Sequence, residues 1–208
     1  MNENIEIEKR NYPMPSKFEW RMDNGEDKTE VIEGYGIVFN KRYQIWGRYY
    51  EEIAPEAGEY FKDLKDDEKR EIIASYNHNF EKLLGKVGAG TLDFKVDKTG
   101  VRYIIQMPKT SYAADLVESI KRGDVSGSSF VFTVEEETYV YEEESTLRKV
   151  LKFRRVYEVG PVVMPAYADT TVSVRSIEAA TKKHFEDLGK IQKRKEQLAK
   201  AKEYIDKL

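Results

Sequence analysis

Residues 83–108 read LLGKVGAGTLDFKVDKTGVRYIIQMP, and this stretch decides the fold class. Leu92, Phe94 and Val96 alternate with Asp93 and Lys95, the two-residue period of a strand with one buried face. Asp97 to Gly100 supply turn residues, and Val101, Tyr103 and Ile105 then resume the alternation. The pattern predicts a β-hairpin. Just beyond it, Ser111 to Gly123 reads as one helix. Thr110 or Ser111 can cap it, Ala113, Leu116, Val117 and Ile120 form an apolar stripe, and Gly123 can end it.

Working outward, a second β block is expected over Ser128–Thr138, Leu147–Val156 and Glu158–Met164, with a last strand at Thr171–Arg175. The acidic run EEETYVYEEE, Glu135 to Glu144, reads as a solvated hairpin tip. Gly160-Pro161 and Met164-Pro165-Ala166 read as sharp strand ends. On the N-terminal side, EVIEGYGIVFN (Glu30 to Asn40) is strand-like, and Gly34 and Gly36 suggest a bulge or a tight packing point. Tyr43 to Pro55 reads as a turn and a short strand, and the charged Ala57–Arg70 as helix. Glu71 to Asn79 fits strand or helix equally.

Both ends differ in texture. Met1 to Asn24 is polar and carries Pro13 and Pro15, so a loosely held arm is expected, with a strand at Lys17–Met22. From Ile177 a charge-laced, mildly basic helix is expected, with Phe185, Leu188, Ile191, Leu198 and Ile205 as its apolar points. The expected architecture is mainly β with flanking helices (α+β). It has an arm (1–28), a β-rich domain (29–176) and a charged helical tail (177–208).

Composition narrows the function. The chain has 208 residues, 40% hydrophobic and 35% charged, with a net charge of -3. No stretch approaches the roughly 18 apolar residues of a spanning helix. No basic footprint for nucleic acid stands out. With no cysteine there is no disulfide framework, thiolate nucleophile or cysteine-based zinc site, and a cytosolic compartment is expected. MNENIEIEKRNYPMP has no apolar core of a signal peptide, so none is expected. No P-loop or HExxH motif occurs, and one histidine outside the tail makes a histidine-rich zinc site implausible.

Three features could carry chemistry. His184 belongs to the polar tail, but His78 lies in SYNHNF between two asparagines, and imidazole is the natural general base near neutral pH. Ser126-Gly127-Ser128-Ser129 follows the helix at a strand start, where a serine could act as nucleophile or merely form a turn. Strand alternation puts Ser129 and Val131 on one face, and Ser128 with Phe130 and Phe132 on the other. Glu158 is the one carboxylate in an apolar strand, so if buried it must be paired. It could orient an imidazole, or simply pair with Arg154 or Arg155.

Taken in order, these features resemble the prohead (capsid maturation) serine proteases of tailed bacteriophages with HK97-type capsids. The resemblance runs from about Glu30 to Arg175. It is carried by GYGIVFN and EEIAPEA (Glu51 to Ala57), then Asn77-His78-Asn79 before Leu84-Gly85-Lys86-Val87. The block Val125 to Phe132 follows, and then EVGPVVMPA, Glu158 to Ala166. The resemblance implies a compact herpesvirus-assemblin-like β-barrel. It implies His78 as catalytic histidine, Ser129 as nucleophile and Glu158 as third member, with Ser128 and Ser126 as reserve nucleophiles. Val131 stands where the family usually has glycine. The implied activity is a serine endopeptidase without metal or organic cofactor. Its substrates would be the scaffolding protein, the major capsid protein and the protease itself, inside the assembling procapsid in the host bacterial cytoplasm. Self-association as a dimer is a further expectation. The alternative is a catalytically silent capsid- or scaffold-binding assembly protein.

Overall fold

The computed structural model describes residues 6–13, 18–22 and 30–163. All belong to the first of two compact units, residues 1–168. The strand expected at Thr171–Arg175, the end at Met164-Pro165-Ala166 and the helix expected after Ile177 lie outside the described residues.

The described chain is mainly β. The strands are β1 (Glu8–Pro13), β2 (Glu19–Met22), β3 (Glu30–Val38), β4 (Tyr43–Trp46) and β5 (Tyr49–Ile53), then β6 (Ile73–Tyr76), β7 (Asn79–Lys86), β8 (Leu92–Val96), β9 (Gly100–Gln106), β10 (Gly127–Tyr141) and β11 (Thr146–Val162). The α-helices are α1 (Asp67–Arg70) and α2 (Ser111–Arg122). A seven-stranded sheet runs β1-β10-β11-β5-β4, with β6 also pairing with β11 and β7 with β6. A four-stranded sheet runs β2-β3-β9-β8. The two share one core: Ile32, Ile37, Leu92, Phe94, Tyr103 and Ile105 pack with Phe130, Phe132, Val150, Phe153, Val156 and Val159. Among the described residues a parallel bridge, Phe39 to Ile53, joins them at one corner.

The decisive hairpin is β8–β9, with Asp97 Oδ1 accepting from the Thr99 and Gly100 amides to close the turn. The helix is α2: its buried residues are Ala113, Leu116, Val117 and Ile120, and Gly123 ends it at φ +85°. Gly36 sits at a register shift of β3, where an added Cβ would lie 3.1 Å from the Tyr103 ring.

Four expectations need correction. Ala57–Arg70 is not one helix. A 3₁₀ segment, Pro55–Phe61, drives Phe61 into the core, and only the single α-turn α1 follows. Leu147–Val156 and Glu158–Met164 are not two strands but parts of the 17-residue β11. Gly160-Pro161 therefore lies inside a strand; Pro161 lacks an N–H, but its carbonyl accepts from the Asn77 amide at 3.1 Å. The polar arm is not loosely held over its first described part: residues 8–13 are β1, paired antiparallel with β10.

Charge holds β1 in place. Arg10 Nε donates to Glu51 Oε1 at 2.7 Å, and its Nη2 reaches Glu51 Oε2 at 2.9 Å and Glu8 Oε2 at 2.5 Å. Arg148 reaches Glu8 at 2.5 and 2.7 Å, Glu51 at 2.9 Å, and also Glu137. Burial would lower the Arg148 guanidinium, but Glu8, Glu51 and Glu137 together hold it well above its ordinary value. Glu51 is fully buried. Removing one member of such a group leaves its partners charged and unpaired. Glu51→Gln is therefore expected to lower unfolding free energy by about 2–3 kcal/mol, measured by urea titration with the slope unchanged.

Candidate active site

The site is built around a two-residue turn. β6 and β7 form a hairpin in which Tyr76 pairs with Asn79, leaving Asn77 and His78 as the central residues, at φ +55° and +58°. Two consecutive positive φ values are the geometry of a type I′ turn, uncommon for non-glycine residues, among which asparagine and histidine adopt it more readily than most. The turn is pinned to the end of β11: the Val163 amide donates to Asn77 Oδ1 at 3.0 Å, and the Asn77 amide to the Pro161 carbonyl. Non-glycine residues at positive φ tend to persist where the surroundings over-determine them, as at functional sites.

The turn brings His78 to Glu158. Its Nδ1 lies 3.0 Å from Glu158 Oε2. Glu158 is buried, and its other oxygen accepts from Ser75 Oγ, itself buried on β6. Glu158 thus pairs with His78 and Ser75, rather than with Arg154 or Arg155. Two features place Ser75 there. β6 runs parallel to β11, with Glu158 against Ile73 and Val159 against Ala74. The missing side chain of Gly160 lets β6 close in, since a Cβ there would stand 2.0 Å from the Ser75 carbonyl oxygen.

Ser129 lies on the same face as Glu158. Val131 is opposite Glu158, Ser129 is opposite Gly160, and a register shift follows between Val131 and Phe132. That shift lets Val156 and Val159 both enter the core while Glu158 points the other way. On its other side Ser129 faces Asn11 of β1. Ser129 Oγ donates to the Arg10 carbonyl at 2.9 Å, and Asn11 Oδ1 lies 3.4 Å from His78 Nε2. His78 and Ser129 therefore meet consecutive residues of one strand, and among the described residues no hydrogen bond joins them directly. Ser129 is only 1% exposed.

The reserve serines sit elsewhere. Ser128 is on the core face, 2.7 Å from the Tyr103 hydroxyl, whose phenol burial pushes up and this hydrogen bond lowers. Ser126 is exposed and precedes β10. Sequence reasoning missed Ser75, Asn11 and Arg10. Ser75 did carry a weak signal, three residues before His78 in a segment that also fits a strand. Among the described residues no group of three or more His, Asp or Glu is arranged to hold a metal ion.

This geometry can hold an imidazole in one tautomer and orientation beside a strand bearing a serine. The fold is similar to the capsid assembly protease of bacteriophage T4, with a TM-score of 0.51 at 11% identity, covering 78% of this chain and 100% of that one. No curated protein matches. The family model for the caudovirus prohead serine protease matches residues 16–185, the greater part of the sequence, and the chain belongs to that family.

Proposed function

We propose that this protein is a serine endopeptidase that cleaves scaffolding protein, the major capsid protein and its own chain during prohead maturation. The observation that carries this reading is the 3.0 Å contact between His78 Nδ1 and Glu158, with Ser129 on the adjacent strand of the same face. Glu158 accepts the Nδ1–H, which makes Nε2, 3.4 Å from Asn11 Oδ1, the ring nitrogen that takes a proton. In the reaction, Ser129 Oγ forms a bond to the peptide carbonyl carbon as His78 Nε2 takes its proton. The tetrahedral oxyanion then collapses, the C–N bond breaks, and His78 returns the proton to the leaving amine. Water, deprotonated by His78, releases the acyl group and restores Ser129. The two separate sheets around a shared core agree with the mainly β expectation, and their closure into an assemblin-like barrel is part of the proposal. Partners and location follow the same reading: scaffold and capsid protein inside the assembling procapsid, in the host bacterial cytoplasm, with dimer formation to be tested by light scattering.

The silent assembly module has one observation in its favour, the burial of Ser129 and the use of its hydroxyl on the Arg10 carbonyl. Intact mass over time, with the cognate scaffold and capsid proteins, separates the two readings. Discrete fragments support the peptidase, and intact substrates under assembly conditions support the silent module.

Ser75 adds a finer test. As a positioning residue it holds Glu158 from the side opposite His78. Ser75→Ala is expected to lower kcat about 10-fold with KM unchanged, and Ser75→Thr to restore most of it. A loss shared equally by the Ala and Thr variants, in step with lost stability, would make Ser75 structural only.

A further inference from the structure

We propose that β1 is an inhibitory strand: paired on β10 it keeps the peptidase latent, and its release from that edge uncovers Ser129 and His78. The proposal rests on the peptidase reading above and names the regulation of that site.

The first observation is what β1 covers. Arg10 and Asn11 are consecutive, and each meets one of the two reacting groups. The Arg10 carbonyl accepts from Ser129 Oγ at 2.9 Å, and Asn11 Oδ1 lies 3.4 Å from His78 Nε2. Ser129 is 1% exposed, so no peptide bond reaches it while the strand is in place. Register makes the two contacts a single event, because Asn11 is opposite Ser129 and Arg10 is opposite Phe130. A strand that lifts off loses both.

The covered state is also not a reacting one. The Ser129 hydroxyl donates to the oxygen of the Arg10 carbonyl. Attack needs Oγ at a carbonyl carbon, with its proton directed to His78 Nε2. β1 takes the proton of one group and stands beside the proton-accepting nitrogen of the other. It therefore blocks the site rather than feeding it.

The strand is placed to leave. Among the described strands it lies at the edge of its sheet and pairs with β10 alone. Its buried anchors are Glu8 and Arg10, one negative and one positive, so they depart as a neutral pair. Arg148 keeps Glu51, at 2.9 Å, and Glu137 as partners, so the charged group beneath β1 stays paired without it. β10 stays in the sheet through its ladder with β11. Pairing at such an edge opens locally without unfolding the rest, and the open population sets the activity.

The chain has no cysteine, so a disulfide can be placed at β1 alone. Lys9 is exposed and directly opposite the half-buried Val131 of β10, a spacing that a disulfide can bridge. The full chain carrying Lys9→Cys and Val131→Cys is compared oxidised and reduced. The readouts are cleavage of cognate scaffold by intact mass and labelling of Ser129 by a fluorophosphonate reagent. The oxidised form is expected to be about 100-fold or more slower in both, and reductant is expected to restore both. A second variant moves the other way. Successive amides of a strand face alternate sides, so either Lys9 or Tyr12 directs its N–H at β10, and Lys9→Pro with Tyr12→Pro removes that donor. Both rates are then expected to rise about 3-fold or more above wild type. If one variant does not fold, the other decides. Equal rates in the oxidised and reduced forms, or no rise in the proline variant, overturn the inhibitory strand while scaffold cleavage by wild type leaves the peptidase standing. Cleavage between Arg10 and Asn11 as fast as that of scaffold makes β1 a substrate and overturns its blocking role. No labelling and no cleavage by any form, the proline variant included, sinks the peptidase and the inhibitory strand with it.

Discussion

Ser129→Ala is expected to lower the rate of scaffold cleavage by about 10⁴-fold or more, with the chain still folded. Ser129 donates one hydrogen bond, to the Arg10 carbonyl, so the substitution costs little in stability. Its loss of rate would reflect the nucleophile and not the fold. Ser128→Ala is the matched control, because it is the neighbouring residue on the opposite face. It removes the partner of the Tyr103 hydroxyl in the core, and is expected to cost about 1–3 kcal/mol while leaving cleavage intact below the melting range. The rate is read by intact mass over time, and stability by thermal melting. Normal cleavage by the Ser129 variant would move the nucleophile off β10's outward face, and Ser126 would be examined next.

Gly160→Ala is expected to destabilise the protein by more than about 3 kcal/mol, lowering Tm by roughly 6–12 °C. The added carbon would stand 2.0 Å from the Ser75 carbonyl oxygen, 3.1 Å from its carbon and 3.2 Å from the Ser75 nitrogen. All three are backbone atoms, so no side chain can turn aside. β6 would have to move off β11, carrying Ser75 and the Asn77-His78 turn away from Glu158. Activity is therefore expected to fall even at temperatures where the variant is folded. Urea and thermal melts read the first effect, and kcat at low temperature the second. A variant with near-native stability and full activity would mean that β6 does not approach β11 in this way. By the same geometry, alanine is better tolerated at Gly90, where nothing lies within 4 Å, although its φ of +71° still favours glycine.

Buried charge is the less familiar part of this molecule. Charges buried together stabilise little by themselves, but they enforce which partner fits. Here Glu51 and Arg148 meet Glu8 and Arg10 of β1 where it pairs with β10.

The sequence by itself determined the local elements and one side-chain face. Alternation and turn residues between Leu92 and Ile105 specify β8–β9. A capped apolar stripe specifies α2. The two-residue period separates Ser129 from Ser128 and the two phenylalanines. The rule that a buried carboxylate needs a partner singled out Glu158. Each of these signals is local, acting between residues a few positions apart. Tertiary structure decided the rest. Nothing near Asn11 in the sequence indicates that it reaches His78 or lies opposite Ser129, because that pairing joins strands more than a hundred positions apart in the chain. Glu8 and Arg10 look like a solvated arm, since burial of charge depends on complementary charges on β5, β10 and β11. Gly160-Pro161 looks like a strand end because both residues usually interrupt pairing. They continue β11 here because the missing Cβ admits β6 and the proline carbonyl is taken by the Asn77 amide.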